Sequence, residues 1–115
     1  VQHAANNGLA GYLDRFRTWD EVKALVAQGQ PVIASIRFDE GTFPSNVMKS
    51  TDGHLIVVRG FTKEGDALVN DPASKDRGEA IIYKADELAN AWFGGSGGVG
   101  YVITKREGWE VVEGQ

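Results

Sequence analysis

The stretch DGHLIVVRGF, residues 52–61, decides how this chain folds. It is a run of β-branched and apolar residues, and a second such run, ALVNDP of residues 67–72, follows after a short polar segment that contains Gly65. Two runs of this kind, joined by a segment with a glycine, predict a β-hairpin. His54 lies near the start of the first strand and Asp71 at the end of the second, so the hairpin brings both residues to the same edge of the sheet.

An imidazole and a carboxylate that meet at the end of a sheet form half of a nucleophilic triad. We therefore interpret His54 as a candidate general base and Asp71 as the carboxylate that orients it. Successive strand residues point to opposite faces, so Asn70 and Asp71 cannot both reach His54. Asp71 is preferred, and Asn70 remains the alternative. The competing interpretations are a structural histidine and an aspartate that caps the turn at Pro72.

The register of a tight hairpin opposes this pairing. A two-residue turn at Glu64 and Gly65 would pair Lys63 with Asp66, which leaves Asp71 four residues short of the position opposite His54. A longer turn, or a bulge near Gly60, would reduce the offset to a diagonal, where cross-strand neighbours are roughly 7–8 Å apart. The candidate site therefore predicts an irregular hairpin.

Composition limits the classes of function. The chain has 115 residues, 42% of them hydrophobic, and a net charge of −4, which suits one domain with its own core. Clusters of Lys and Arg are absent, which argues against nucleic acid or an anionic membrane as a partner. No apolar run approaches the roughly 20 residues of a membrane span. There is no cysteine, so the chain has no thiol nucleophile.

Other candidates for catalysis are weaker. Ser35 lies within a strand and Ser96 within a glycine run, and neither has the Gly-x-Ser-x-Gly context of an activated serine. His3 is expected to be solvated. A metal site that combines His54 with Asp52 and Asp71 lacks a recognised ligand spacing. We expect no cofactor and no metal.

The remaining elements predict an α+β fold, with a mostly antiparallel sheet flanked by two or three helices. The box formed by Thr18 and Glu21 starts a helix. Residues 32–38 form a nearly continuous apolar strand, which predicts cover on both of its faces. The aromatic residues expected in the core are Trp19, Phe61, Trp92 and Tyr101. The predicted elements are a helix end over 1–9, strands over 11–16, 32–38, 80–83 and 99–104, a loop over 39–52, and a helix over 85–93.

Five stretches carry a family resemblance. They are Gly29–Ile36, Gly53–Phe61, Val69–Ala73, Glu87–Leu88 with Ala91–Trp92, and Gly98–Ile103. In this order they resemble the papain-like cysteine peptidases related to the double-glycine, bacteriocin-processing peptidases, and especially their secreted "family 39-like" relatives. The motif of a Gly-His strand followed by Asn-Asp-Pro is the most specific part.

The resemblance implies a papain-like sheet lobe and a Cys-His-Asp triad that hydrolyses peptide bonds, in which His54 matches the base and Asp71 its partner. The cysteine and the oxyanion-hole glutamine of the family have no counterpart here. Residues 1–104 would be the C-terminal lobe of the peptidase-like domain, and residues 105–115 a tail or linker. The start at Val1 suggests a fragment or a processed product.

Several expectations follow for the intact protein and for this chain. The substrate would be a peptide or a protein, and the resemblance implies a secreted or cell-envelope location. This chain alone is expected to be inactive, and to bind its missing N-terminal half or to self-associate through an exposed apolar face. The alternatives are a non-catalytic peptide-binding module and a cysteine-dependent acyl transferase of transglutaminase type.

Overall fold

A six-stranded antiparallel sheet forms the frame of the molecule. The computed structural model describes residues 9–75 and 80–105, with side chains over 11–75 and 80–103. Across the sheet the strands lie in the order β1-β6-β2-β3-β4-β5. The predicted α+β class and antiparallel sheet are confirmed. The strands are β1 (Leu9–Arg15), β2 (Val32–Phe38), β3 (Thr51–Phe61), β4 (Ala67–Asn70), β5 (Ile81–Tyr83) and β6 (Val99–Lys105).

Two α-helices and a π-helix accompany the sheet. Helix α1 (Trp19–Ala27) begins where the Glu21 carboxylate accepts hydrogen bonds from the backbone N–H groups of Arg17 and Thr18, as the capping motif predicts. Helix α2 (Ala85–Ala89) continues directly into a π-helix (Asn90–Gly95). The sequence predicts one helix over 85–93, so the location is correct but the widened last turns were not foreseen.

The core lies on one face of the sheet, which we call the inner face. On β2 it takes every second residue, namely Val32, Ala34, Ile36 and Phe38. The opposite, outer face of the same strand is only half-buried or exposed, so the prediction that both faces are covered is wrong. The other large buried side chains come from the remaining strands and the helices, and include Val22, Ile56, Val58, Val69, Tyr83, Leu88, Trp92 and Val102.

Apolar side chains continue across the outer face. Leu13 of β1, Tyr101 of β6, Ile33 of β2 and Val57 of β3 are cross-strand neighbours in one row. Tyr101 is 41% exposed, which contradicts its assignment to the core. The reason is alternation: its neighbours Gly100 and Val102 point inward, so Tyr101 faces outward.

Some predictions fall outside the described residues. They are residues 1–8 of the predicted helix end and residues 106–115 of the predicted tail. Within the ranges that are described, no helix combines the length and the apolar character needed to cross a membrane.

Candidate active site

His54 and Asp71 meet at one end of the β3–β4 hairpin. The Nε2 atom of His54 lies 2.6 Å from Oδ1 of Asp71, which is hydrogen-bonding distance. The Asp71 side chain is fully buried, whereas that of His54 remains 18% exposed. One partner is thus held in the protein interior while the other keeps access to solvent.

The turn of the hairpin is longer than two residues. The Thr62 N–H donates to the Asp66 carbonyl at 2.8 Å, and the Gly65 N–H donates to the Thr62 carbonyl at 2.9 Å. Gly65 has a φ of 92°, a left-handed conformation that glycine adopts without steric cost. This is a three-residue hairpin loop closed by a left-handed residue.

A β-bulge at Arg59 then sets which face each side chain of β3 occupies. Gly60 pairs with Leu68, but Val58 pairs with Val69, so β3 carries one extra residue between these pairs. Without it, the register of the turn would continue, and His54 would point to the opposite face from Asp71. The sequence predicts either a longer turn or a bulge near Gly60, and the structure has both.

The bulge brings the two side chains together on the inner face. His54 pairs across the sheet with buried Ile36 and alternates with buried Ile56. Strand β4 ends at Asn70, which pairs with Val57. If this register is continued by one residue, Asp71 lies across from Ile56 and therefore diagonal to His54. Asn70, the alternative partner, instead pairs with Val57 and accepts a hydrogen bond from Arg59 Nη1 at 3.3 Å.

The carboxylate of Asp71 is held from several directions. Its Oδ1 also accepts a hydrogen bond from the backbone N–H of Ala73 at 2.9 Å, and its Oδ2 accepts one from the hydroxyl of Tyr83 at 2.5 Å. A carboxylate can only accept, so His54 presents its proton on Nε2. The nitrogen that keeps a free lone pair is then Nδ1.

Sequence reasoning gave Tyr83 no role. It lies on β5 opposite Ala67, four residues before Asp71 on the neighbouring strand. Only the length of the tyrosine side chain, lying along the inner face, allows its hydroxyl to reach the carboxylate. Burial, together with the hydrogen bond to Asp71, raises the pKa of Tyr83 well above its ordinary value. No sequence motif marks such a contact, because it depends on the β4–β5 register.

The loop over 39–50 packs against this tyrosine. The Val47 N–H donates to Tyr83 Oη at 3.4 Å, and the ring of Phe43 contacts the Tyr83 ring edge-on, with centroids 5.0 Å apart. Ser45 anchors the loop, because its N–H and Oγ both donate to Glu87 Oε1, at 2.9 and 2.7 Å. The loop is therefore fixed to α2 rather than free in solvent.

The weaker candidates do not join the site. Ser35 pairs with Leu55 on β3, whose side chain is 49% exposed on the outer face. The hydroxyl of Ser96 donates to the Trp92 carbonyl and accepts from the Val99 N–H, so it serves the local turn. Asp52 is exposed, and His3 lies outside the described residues.

A groove of about 410 Å³ opens beside the same end of the sheet. It follows the last residues of β2, directly after the residue that pairs with His54. The pairing of β2 with β6 covers only Val32 to Ala34. The groove therefore borders the last residues of β2, which have no described strand partner on the β6 side. Its lining comes from Arg37, Phe38, Asp39, Thr42, Asn90, Gly94 and Gly95.

The sequence of the Peptidase_C39 like family matches residues 2–97, which include the hairpin, both members of the His54–Asp71 pair and Tyr83. The chain belongs to the Peptidase_C39 like family. Membership agrees with the resemblance to papain-like cysteine peptidases that the sequence motifs indicate. No curated protein matches the chain.

The fold of this C39-like chain also occurs in a crystal structure from Bacillus anthracis, described as that of a "putative C39-like peptidase". The two structures superpose with a TM-score of 0.61 at 19% sequence identity. The match covers 84% of this chain and 52% of the other. The C39-like chain therefore spans about half the length of that protein.

Proposed function

We propose that this chain supplies the general base and its orienting carboxylate to a papain-like cysteine peptidase site, and that a cysteine outside these 115 residues supplies the nucleophile. The observation that carries the proposal is the contact between His54 Nε2 and Asp71 Oδ1 at 2.6 Å, with Asp71 fully buried. Membership in the Peptidase_C39 like family supports it.

In this proposal, His54 moves a proton in two directions. Its Nδ1 takes the proton of the cysteine thiol, and the thiolate attacks the carbonyl carbon of the scissile peptide. The tetrahedral intermediate collapses as the imidazolium returns the proton to the leaving amine, which breaks the C–N bond and leaves a thioester. Water, deprotonated by the same nitrogen, then hydrolyses the thioester and releases the acid and the thiol.

Asp71 acts through His54 rather than on the substrate. Its carboxylate keeps the proton on Nε2, so that Nδ1 is the nitrogen available to the thiol, and it stabilises the imidazolium. The groove beside β2 lies at the same end of the sheet and offers both polar and apolar groups to a peptide.

The first test uses the 115-residue chain alone. Because it holds no thiol, it should not hydrolyse peptide substrates above the rate without protein. The measurement is cleavage of a mixed fluorogenic peptide library. Turnover by the pure chain that persists through repurification would overturn the proposal, because it would need a different nucleophile.

The second test uses the longest product of the gene that contains this chain together with a cysteine. His54→Ala should lower kcat/KM by about 10²–10⁴-fold, the range typical of a lost general base. Asp71→Asn should lower it substantially, and thiol alkylation should abolish it. Asp52→Asn is the matched control, because it removes an exposed carboxylate two residues from His54.

A non-catalytic peptide-binding module is the second candidate, and the absence of cysteine from the chain favours it. The same longer product separates the two. Peptide binding without turnover, unaffected by His54→Ala, would replace the peptidase proposal with the binding module. Transfer of the acyl group to an added amine in preference to water would assign the site to an acyl transferase instead.

A further inference from the structure

Tyr83 is the second side chain that holds the Asp71 carboxylate. It is fully buried, and its hydroxyl donates to Asp71 Oδ2 at 2.5 Å, while His54 and the Ala73 N–H occupy Oδ1. The hydroxyl and the imidazole therefore hold opposite oxygens of one carboxylate. Rotation of that carboxylate about its Cβ–Cγ bond would break both contacts together.

The Tyr83 hydroxyl remains a hydrogen-bond donor throughout the neutral pH range. Burial and the adjacent carboxylate raise the pKa of Tyr83 well above its ordinary value, so the phenol remains protonated throughout the neutral range. A hydrogen bond to a charged acceptor is stronger than one between neutral groups, and it disperses part of the negative charge. The carboxylate that carries this charge contacts His54 Nε2 directly.

We infer that Tyr83 is a positioning residue: its hydroxyl fixes the rotation of the Asp71 carboxylate and shares its charge, and thereby limits how strongly Asp71 holds a proton on His54. The catalytic meaning of this inference rests on the proposed function. The coupling itself belongs to the folded chain and exists whether or not a nucleophile is supplied.

The ion pair of His54 is with a single carboxylate, that of Asp71, among the described residues. On β2, His54 pairs with the apolar Ile36. On β3 itself the nearest acidic residue, Asp52, is exposed and screened by solvent. A change in the titration of His54 on loss of the Tyr83 hydroxyl is therefore expected to pass through Asp71.

The loop over 39–50 extends this positioning chain. It donates the Val47 N–H to Tyr83 Oη and is itself anchored to Glu87 through Ser45. The tyrosine hydroxyl thus has a second partner besides Asp71. Loop, tyrosine, carboxylate and imidazole form one connected series of contacts.

The test is an NMR titration of His54 in the 115-residue chain, which has two histidines, so that His3 serves as an internal reference. Tyr83→Phe should raise the pKa of His54 by about 0.3–1 unit, as expected from a partly unshielded neighbouring charge. Asp71→Asn should lower it. Tyr101→Phe, which removes a hydroxyl from the outer face, should leave it unchanged.

A double-mutant cycle locates the effect. In the Asp71→Asn background, Tyr83→Phe should no longer shift the pKa of His54, because the carboxylate that couples them is gone. An unchanged pKa in Tyr83→Phe alone, or the same shift with and without Asp71, would overturn the inference. The backbone amide spectrum shows whether each variant is folded.

A second variant guards against loss of folding in Tyr83→Phe. Biosynthetic 3-fluorotyrosine in a Tyr12→Phe/Tyr101→Phe background labels Tyr83 alone among the three tyrosines. The fluorinated phenol is a stronger donor of nearly the same shape, so it should lower the pKa of His54; no change, or a rise, would overturn the inference. Peptidase activity of the longer product is a separate readout: its absence would refute the proposed function while leaving this coupling intact.

Discussion

Among the glycines in the described part of the chain, Gly98 lies closest to a neighbouring backbone atom. Its φ is 80°, and a Cβ added there would lie 1.9 Å from the Phe16 carbonyl oxygen, inside contact distance of a backbone atom. Two hydrogen bonds hold it in place, because the Phe16 N–H donates to the Gly98 carbonyl and the Gly98 N–H donates to the Trp92 carbonyl, each at 2.7 Å. This residue joins the end of β1, the π-helix and the start of β6.

Gly98→Ala and Gly29→Ala form a matched pair. Both glycines have a φ of 80°, but the Gly29 site is open, with no atom within 4 Å of an added Cβ. Gly29→Ala should lower the free energy of unfolding by about 1–2 kcal/mol, the cost of a left-handed alanine. Gly98→Ala should cost about 4 kcal/mol or prevent folding, because backbone must also move. Urea unfolding measures both, and equal losses would contradict the close approach.

At the scale of the residue, the sequence predicts a feature when the feature is local or lies at a strand end. The contact between His54 and Asp71 follows from hairpin geometry, once the bulge near Gly60 is allowed. The contact of Tyr83 with Asp71 does not, because it depends on the register of a third strand and on the direction of a long side chain. Residues 94–98 are recognisable in the sequence only as a glycine run around Ser96, which does not indicate the close packing at Gly98.

At the scale of the element, helix α1 shows how one side chain defines a helix start. The Glu21 carboxylate accepts hydrogen bonds from the N–H groups of Arg17 and Thr18, and these bonds lower the pKa of Glu21 below its ordinary value of 4.5. The folded chain therefore holds the deprotonated form more tightly than the unfolded chain does. This contribution is complete above pH 4.5 and is lost as the pH falls through the lowered pKa.

Glu21→Gln should consequently reduce stability at neutral pH and flatten the loss of stability below pH 4.5. The measurement is the free energy of unfolding against pH, from 7 down to 3. Glu64→Gln is the control, since that residue lies exposed in the hairpin turn and should leave the acid slope as it is. If both variants had the same slope as the unmodified chain, Glu21 would not be the cap that the geometry indicates.

Most elements follow from periodicity and from start and stop signals. Strand β2 matches the predicted 32–38, β5 and β6 differ from prediction by one residue at one end, and β1 starts two residues earlier and ends one residue earlier than predicted. Two failures have physical reasons. The apolar run of β2 predicts cover on both faces, but its side chains alternate between the core on the inner face and the uncovered outer face. The predicted helix over 85–93 widens into a π-helix, whose Gly95 lies so close to the Arg37 carbonyl that a Cβ there would be 2.1 Å away.

At the scale of the whole molecule, the two faces of the sheet are unlike. The inner face carries the core and the His54–Asp71 pair, while the outer face carries the row Leu13, Tyr101, Ile33 and Val57. Leu55 and Ile82 lie on the outer face as well, and they are 49% and 52% exposed. A partner that covered this row would leave the edge at His54 open.

We expect the 115-residue chain to self-associate through the outer face, because an exposed apolar surface of this kind is typical of an interface. Sedimentation velocity should show an association that increases with concentration. Leu55→Thr combined with Tyr101→Thr should shift it towards monomer, with β-branched threonine preserving strand propensity.

Val47→Thr is the control for this prediction. Val47 is 49% exposed, but it lies on the loop beside Tyr83 rather than on the outer face. A monomeric chain at every concentration would contradict the expectation. If Val47→Thr weakened self-association and the double variant did not, the interface would lie on the side of the candidate site instead of on the outer face.

The extra residue at Arg59 also governs how the hairpin can vary in length. His54 and Asp71 are 17 positions apart, and one of those positions is absorbed by the bulge. Lengthening or shortening β3 between the bulge and His54 by one residue would turn the imidazole to the outside, whereas a change of two would only slide it along the strand. In chains that keep this histidine and aspartate on the same face, the number of residues between the bulge and the histidine should therefore differ by an even number. A second bulge in that interval would allow an odd difference. A search for such pairs in other sequences should use spacing rules that treat odd and even insertions differently.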